Sequence, residues 1–68
     1  MRRAAALLRI LATGQDQGMR LTDVVEHSQL PLPTVHRLLQ ALCSEGLVEQ
    51  DAVTRRYLIG EEGLLLGM

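Results

Sequence analysis

A proline-bounded, leucine-striped segment in the middle of the chain constrains the fold more than any other stretch. Residues 30–46 read LPLPTVHRLLQALCSEG. Its apolar residues recur at i, i+3, i+4 and i+7, the spacing of one buried stripe on a helix. They are Val35, Leu38, Leu39 and Leu42. Because proline suits the first helical turn and glycine follows the last, the sequence predicts a helix from Pro33, or from one residue later with Thr34 as cap, to Gly46.

The face of this helix opposite the apolar stripe is polar. At roughly 100° per residue, a distinct set of residues points directly away from the stripe. These are Pro33, Arg37, Gln40 and Ser44, with His36 on the flank. Leu32 precedes a proline and is therefore expected outside the helix. The exposed face thus carries hydrogen-bonding groups rather than a run of acids.

Two shorter helices are predicted before this one. The first covers residues 2–13, with Gly14 as its stop. Its buried side comprises Ala4, Leu7, Leu8 and Leu11. Ile10 lies off that stripe and is either a second apolar contact or a surface residue. The second helix takes Thr22 as its N-cap, has acids in its first turn and ends near Ser28. Its buried side comprises Val24 and Val25.

The last third of the chain changes from helical to strand-like patterning. LVEQD at 47–51 and RRYLI at 55–59 read as two strands joined by AVT at 52–54. The expected core side comprises Leu47, Tyr57 and Ile59. Two strands are not stable alone, so this hairpin must lean on the helices. EEGLLLGM at 61–68 reads as the start of a fourth helix.

Composition places the chain among small globular domains. A chain of 68 residues buries only a marginal core, so one domain is expected, with oligomerisation or a flanking domain to support it. The single Cys43 cannot form an internal disulfide, and no stretch is apolar enough for a signal peptide or a membrane span. A cytoplasmic protein with no membrane partner is therefore expected. A net charge of −1 gives no overall basic field, so nucleic-acid binding would require the basic residues on one face.

The residue pattern does not favour an enzyme. Cys43 and His36 stand seven residues apart on one predicted helix, about 10 Å, which is too far for a nucleophile and its base. No metal-ligand spacing, glycine-rich phosphate loop or carboxylate pair is expected in a plausible pocket. We therefore expect no catalytic residue, no metal and no cofactor. Cys43 is interpreted as a small core residue.

Three helices followed by a closing hairpin make a winged helix-turn-helix, a mainly α fold with a small β-hairpin. In this architecture the third helix enters the DNA major groove, and the hairpin, or wing, follows the backbone or the minor groove. His36, Arg37 and Gln40 would face DNA because the leucines of the same helix face the core. The alternative is a protein-interaction module whose polar third helix meets an acidic partner, which the near-neutral charge also suits.

Three ordered runs of the sequence carry a resemblance to a known family. They are RAAALLRILA at 3–12, LTDVVEHSQLPLPTVHRLLQALCSEGLVEQD at 21–51 and TRRYLIGEEGLLLG at 54–67. The chain thereby resembles the IclR-type bacterial transcriptional regulators, which mostly control catabolic operons as repressors or activators. The resemblance implies a winged helix-turn-helix at 1–60, the start of a linker helix at 61–68, and a further domain that binds a small-molecule effector. It also implies a palindromic double-stranded operator and a homodimer or tetramer, for which Ile10 or the leucines at 64–66 are the expected contacts.

Two positions depart from the family pattern. Gln29 stands where members usually place glycine at the end of the second helix, so it either accepts a left-handed conformation or the turn differs. Position 32 is more often polar or basic in the family. Leu32 therefore removes a potential phosphate contact at the entrance of the third helix.

The candidate DNA contacts combine the second helix, the third helix and the wing. They are Thr22, Pro33, Thr34, His36, Arg37, Gln40, Arg55 and Arg56. Arg37 either grips a guanine or a phosphate, or is a solvated arginine paired with an acid. Gln40 either reads adenine or is an ordinary exposed glutamine. Thr34 caps the helix, donates to a phosphate, or does both, and His36 either contacts the DNA backbone or is buried.

The remaining basic candidates flank these residues. Arg55 and Arg56 are adjacent at the base of the wing, so at most one faces DNA directly, and Arg56 is favoured. Thr22 at a helix start presents amides that suit a phosphate, although capping alone explains it, and Arg20 is a comparable candidate. The arginines at 2–3 are interpreted as solvating the chain terminus.

Overall fold

The computed structural model describes residues 2–13 and 17–60, apart from the Arg2 side chain. The elements in chain order are α1 (Arg2–Ala12), α2 (Leu21–Ser28), α3 (Leu32–Ser44), β1 (Val48–Gln50) and β2 (Tyr57–Ile59). Three helices precede one antiparallel hairpin, which confirms the predicted fold class. The predicted helix at 61–68 and the stop at Gly14 lie outside the described residues.

The core lies where the three helices meet the hairpin. Its buried residues are Leu7, Leu8, Leu11, Met19, Val24, Val35, Leu39, Leu42, Val48 and Tyr57. Ala4, Val25 and Leu38 pack against this core but are only partly buried. Ile10 also packs against it, so it is an apolar contact rather than a stray surface residue. The predicted helical stripes are therefore the stripes that the protein buries.

The start of α2 corrects one prediction. Thr22 is not the N-cap, because the helix begins at Leu21 and Arg20 occupies the capping position. The acid in the first turn makes the reciprocal contact of a capping box: the Asp23 carboxylate accepts the backbone N–H of Arg20 at 3.3 Å. The Thr22 hydroxyl is consequently not committed to capping, and its side chain is exposed.

The α2–α3 turn depends on a left-handed residue that is not glycine. Gln29 has φ 62° and ψ 23°, and its backbone N–H donates to the Val25 carbonyl at 3.0 Å. Its side-chain amide also donates to the Glu26 carbonyl at 2.9 Å. The first of the two alternatives for Gln29 is thus confirmed, and the backbone is strained there because an L side chain disfavours this region.

We expect Gln29→Gly to raise the free energy of unfolding by about 0.5–1 kcal/mol, because glycine adopts this conformation without steric cost. Ala6→Gly is the matched control, since Ala6 lies exposed inside α1 and the same change there should lower stability by a similar amount. Urea unfolding of the three proteins measures both effects. A Gln29→Gly variant no more stable than the original would mean that the side-chain bond to Glu26 outweighs the backbone strain.

The start of α3 corrects a second prediction. Leu32 is helical rather than excluded, Pro31 is the N-cap with φ −60° and ψ 146°, and Thr34 is therefore not the cap. Neither proline costs a helical hydrogen bond, because the first amides of a helix have no partner within it. The first such bond runs from the Val35 N–H to the Pro31 carbonyl at 3.0 Å. A residue before proline prefers extended backbone, but this is a preference only, and Leu32 adopts a helical backbone here.

The end of α3 shows the predicted glycine termination. Gly46 has φ 79°, and its N–H donates to the Cys43 carbonyl at 3.0 Å. The Leu47 N–H donates back to the Leu42 carbonyl, also at 3.0 Å. This pair of bonds is the Schellman motif, which needs a left-handed residue at the position of Gly46. The helix itself ends two residues earlier than predicted, at Ser44.

The wing consists of β1, β2 and the connecting residues 51–56. The strands pair in the register Val48↔Ile59 and Gln50↔Tyr57 and are shorter than predicted. Val48, not Leu47, is the buried residue of β1, while Leu47 and Ile59 are only partly buried. On the other edge of β2, Met19 exchanges two backbone hydrogen bonds with Tyr57, at 2.9 and 2.7 Å. The wing is therefore tied to the α1–α2 connection as well as to α3.

Gly18 makes this attachment possible. It has φ 88°, and a Cβ atom there would lie 2.8 Å from both the Leu58 Cγ and the Tyr57 carbonyl oxygen. Only a residue without a side chain lets the chain approach β2 so closely. Within residues 2–13 and 17–60, none of the helices is long and apolar enough to cross a membrane.

Candidate nucleic-acid interface

An open cleft separates α3 from the wing, with the start of α2 at one end. Its lining comprises Arg20, Leu21, Thr22, His36, Gln40, Gln50, Thr54, Arg55 and Tyr57. The described residues of this lining carry two guanidinium groups and no carboxylate. Within residues 2–13 and 17–60, the acids therefore lie outside the cleft lining, and the described part of this surface is basic and polar although the chain has a net charge of −1.

The α3 wall of the cleft is formed by two residues one turn apart. His36 and Gln40 are both exposed, and the Gln40 amide Nε2 lies 3.4 Å from His36 Nε2. For this contact to be a hydrogen bond, the amide donates and the imidazole nitrogen accepts. Of the alternatives for His36, burial is therefore wrong, because its ring lies at the surface beside the wing.

The floor of the cleft is Tyr57, whose ring belongs to the core while its hydroxyl reaches the lining. Burial raises the pKa of this phenol, and the nearby Cys43 thiol acts in the same direction. A hydrogen bond from the Gln40 side chain and the positive charge of Arg55 oppose that rise in the pKa. Tyr57 thus lines the cleft between α3 and the wing, and its raised pKa keeps the phenol neutral at physiological pH.

The wing wall is set by a compact turn at its tip. The Asp51 Oδ1 accepts the backbone N–H groups of Val53 and Thr54 at 2.7 and 2.8 Å. Both bonds lower the pKa of the Asp51 carboxyl, and the bond from Thr54 has the larger effect. The turn therefore keeps its acceptor charged near neutral pH. Arg55 follows with φ 65°, and its carbonyl accepts the Gln50 side-chain amide at 3.1 Å.

The two adjacent wing arginines lie on different surfaces. Arg55 lines the cleft with His36 and Gln40. Arg56 lines a separate depression with Ile10, Thr13 and Asp23, among others, and its Nη1 donates to Gln17 Oε1 at 3.3 Å. The two side chains thus point to different surfaces, with Arg55 at the cleft and Arg56 away from it, while the prediction that Arg56 is the one that faces DNA stays a prediction.

The other predicted residues occupy the outer part of α3. Arg37 and Pro33 are exposed on the face that points away from the core, and Thr34 is half-buried in the first turn. None of these three lines the cleft, whose α3 members are His36 and Gln40. The structure therefore brings together Thr22, His36, Gln40 and Arg55 and leaves Arg37 at the exposed outer edge.

Sequence reasoning missed two polar residues of the cleft. Gln50 and Thr54 belong to the wing, and both side chains are exposed. The signal for Gln50 was the hairpin register: because Gln50 pairs with Tyr57, a predicted register would have placed it beside the aromatic floor. Thr54 had no such signal, because its position depends on the turn that Asp51 organises.

The described residues do not assemble a metal centre. Among them, no group of three or more His, Cys, Asp or Glu side chains is close enough to hold an ion. Cys43 is half-buried and packs against the core, and burial raises the pKa of its thiol. Its surroundings thus agree with a packing role rather than that of a reactive thiolate.

The comparison with known proteins decides the family. The profile of the IclR helix-turn-helix domain matches residues 1–52, which include all three helices and β1. The chain belongs to the IclR helix-turn-helix family. Membership in this family implies DNA binding in transcription regulation, in agreement with the resemblance that the sequence shows.

Named relatives of this IclR-family chain are regulators. It is 43% identical over 67 residues to the glycerol operon regulatory protein of Streptomyces coelicolor and 42% identical to that of Streptomyces griseus. In both comparisons the alignment covers 98% of this chain and 26% of the relative. The chain thus spans about a quarter of these relatives, and their names are those of regulators rather than enzymes.

Solved structures of the family share the fold. The crystal structure of HmgR from Pseudomonas aeruginosa matches with a TM-score of 0.91 and 36% identity, covering 97% of this chain and 27% of that one. An IclR family transcriptional regulator from Brucella abortus matches with a TM-score of 0.81 and 28% identity, covering 97% of this chain and 25% of that one.

Proposed function

We propose that this IclR-family domain binds double-stranded DNA sequence-specifically, with α3 in the major groove and the wing on the backbone or in the minor groove. The single observation that carries the proposal is the cleft between α3 and the wing, because its described lining is basic and polar in a chain of net negative charge. Nucleic-acid binding needs such a gathering of cations on one face.

The proposed roles follow the position of each residue. Arg37 and Gln40 project from the exposed face of α3, where base edges are reachable, and His36 contacts the DNA backbone. Thr22 and Arg20 at the start of α2 donate to a phosphate, since α2 crosses the backbone in this fold. Two further residues complete the proposed contact set in the first turn of α3. They are Pro33 and Thr34.

The proposal assigns the wing contact to Arg55 and leaves Arg56 outside the interface. We expect Arg55→Gln to weaken binding to specific and random duplexes alike and to lower the slope of log affinity against log salt by about one, the effect of one lost phosphate contact. Arg56→Gln is the matched control and should leave the slope unchanged. The reverse result, a lower slope for Arg56→Gln alone, would place Arg56 on the DNA instead.

The proposal also covers the regulator to which such a domain belongs. We infer a cytoplasmic regulator that binds a palindromic operator as a homodimer or tetramer and responds to a small-molecule effector through a further domain. The two Streptomyces relatives carry the name of a glycerol operon regulatory protein. For this protein we propose control of an operon, as repressor or activator. Only about a quarter of each relative aligns with this chain, and that quarter supports DNA binding but not the identity of the operon.

The test uses a selected duplex, defined as the tightest-binding sequence that the chain recovers from a pool of random-sequence DNA at low salt. Its affinity is compared with that of a scrambled duplex of the same composition at several salt concentrations. We expect tighter binding to the selected duplex at every concentration and a steep loss of both affinities with salt. No measurable binding to either duplex would favour the protein-interaction module.

A further inference from the structure

Large apolar side chains are exposed at two places in the described part of the chain. Leu32 has an exposed fraction of 46% and Val53 of 90%. Leu32 opens α3 between two exposed prolines, Pro31 and Pro33, whereas Val53 sits at the tip of the wing. An exposed leucine at the leading end of a recognition helix is not required by the core, which this chain completes with other residues.

Leu32 lies on the same ridge of α3 as the cleft wall. Residues four apart on a helix are neighbours on its surface, so Leu32, His36 and Gln40 form one row at i, i+4 and i+8. His36 and Gln40 of this row face the wing across the cleft. The row therefore starts with an apolar side chain at the N-terminal end of α3 and continues with polar side chains along the helix.

We propose that Leu32 contacts the 5-methyl group of a thymine in the major groove and selects thymine at that position of the half-site. The inference rests on the proposed function and adds to it the chemistry of one base contact. The N-terminal residues of a recognition helix reach base edges, and the thymine methyl is the apolar group displayed on the major-groove edge. A leucine makes no hydrogen bond to a base, so its discrimination comes from this methyl.

Val53 provides the contrast within the same molecule. Its side chain is also apolar and exposed, but it belongs to the wing, which follows the backbone or the minor groove. The thymine methyl is displayed in the major groove only, so Val53 cannot read it. A change at Val53 therefore alters exposed apolar area without altering the proposed thymine contact.

The experiment removes one methyl group from the DNA at a time. Each thymine of the selected duplex is replaced singly by deoxyuridine, and the affinity of the chain and of its Leu32→Ala and Val53→Ala variants is measured. At one position per half-site, we expect deoxyuridine to weaken binding about fourfold, which corresponds to about 0.8 kcal/mol for one buried methyl group. Val53→Ala should retain this fourfold loss, and Leu32→Ala should abolish it.

The other outcomes are distinct. Tight binding to the selected duplex with no loss at any deoxyuridine position, or an undiminished loss in Leu32→Ala, overturns the thymine contact and leaves the proposed function intact. Absence of binding to any duplex overturns both. Circular dichroism of Leu32→Ala confirms that the variant is folded, as expected for a substitution at an exposed helix position.

Discussion

Two copies of the domain held together are expected to bind a palindromic duplex about 10²–10⁴ times more tightly than one copy binds its half-site. The proposed contact set of one copy is small: the exposed face of α3, the start of α2 and one wing arginine. A second copy on the same duplex binds as an intramolecular event once the first has bound, provided that the recognition helices match half-sites roughly 34 Å apart.

The measurement fuses a short dimeric coiled coil after Met68 and titrates palindrome and half-site at one salt concentration. The control carries the same coiled coil with charged residues in its seam, so that it stays monomeric. Palindrome and half-site should bind the control with equal affinity per domain. If the dimeric fusion also shows equal affinity per domain on both duplexes, binding does not depend on paired half-sites.

Arg37→Ala is expected to weaken binding to the selected duplex by roughly 1–3 kcal/mol and to narrow the gap between selected and scrambled duplexes. The Arg37 side chain is exposed on the face of α3 opposite the leucine stripe, and a guanidinium in that position can make a bidentate contact with guanine. The loss should concentrate on the selected duplex, because a base contact exists only where the right base is present.

The matched control for charge is Arg9→Ala, which removes an exposed arginine from α1, away from the cleft. This variant should bind both duplexes nearly as the original chain does. Equal weakening of both duplexes by Arg37→Ala would identify Arg37 as a phosphate contact and would move sequence reading to Gln40 and the first turn of α3.

The helices were predictable because their signals are local and repeated. The stripe Val35, Leu38, Leu39 and Leu42 fixes which side of α3 is buried, and Gly46 fixes where the helix turns away. The left-handed conformation of Gln29 was only one of two alternatives, and it was raised by the family resemblance rather than by a local signal. Helix periodicity alone therefore predicts which polar residues of α3 face outward.

The predictions of the two helix starts were wrong because several neighbouring residues could occupy the N-cap position. Thr22 and Thr34 are both good N-caps by type, but the N-cap positions are occupied by Arg20 and Pro31, neither of which makes a side-chain capping bond. Which wing arginine lines the cleft could not be predicted from the sequence either, because Arg55 and Arg56 are adjacent and of the same type. Only the strained turn after Asp51, with Arg55 at φ 65°, decides which of them lines the cleft.

The most direct test of the account maps the DNA contact onto individual backbone amides. The ¹⁵N-labelled chain is titrated with the selected duplex, and the chemical shift of each amide is followed. We predict the largest changes in Leu32–Gln40 and in residues 51–55, with small changes in residues 3–12. Changes concentrated on α1 or around Gln17 and Arg56, with α3 unaffected, would contradict the placement of α3 and the wing on DNA.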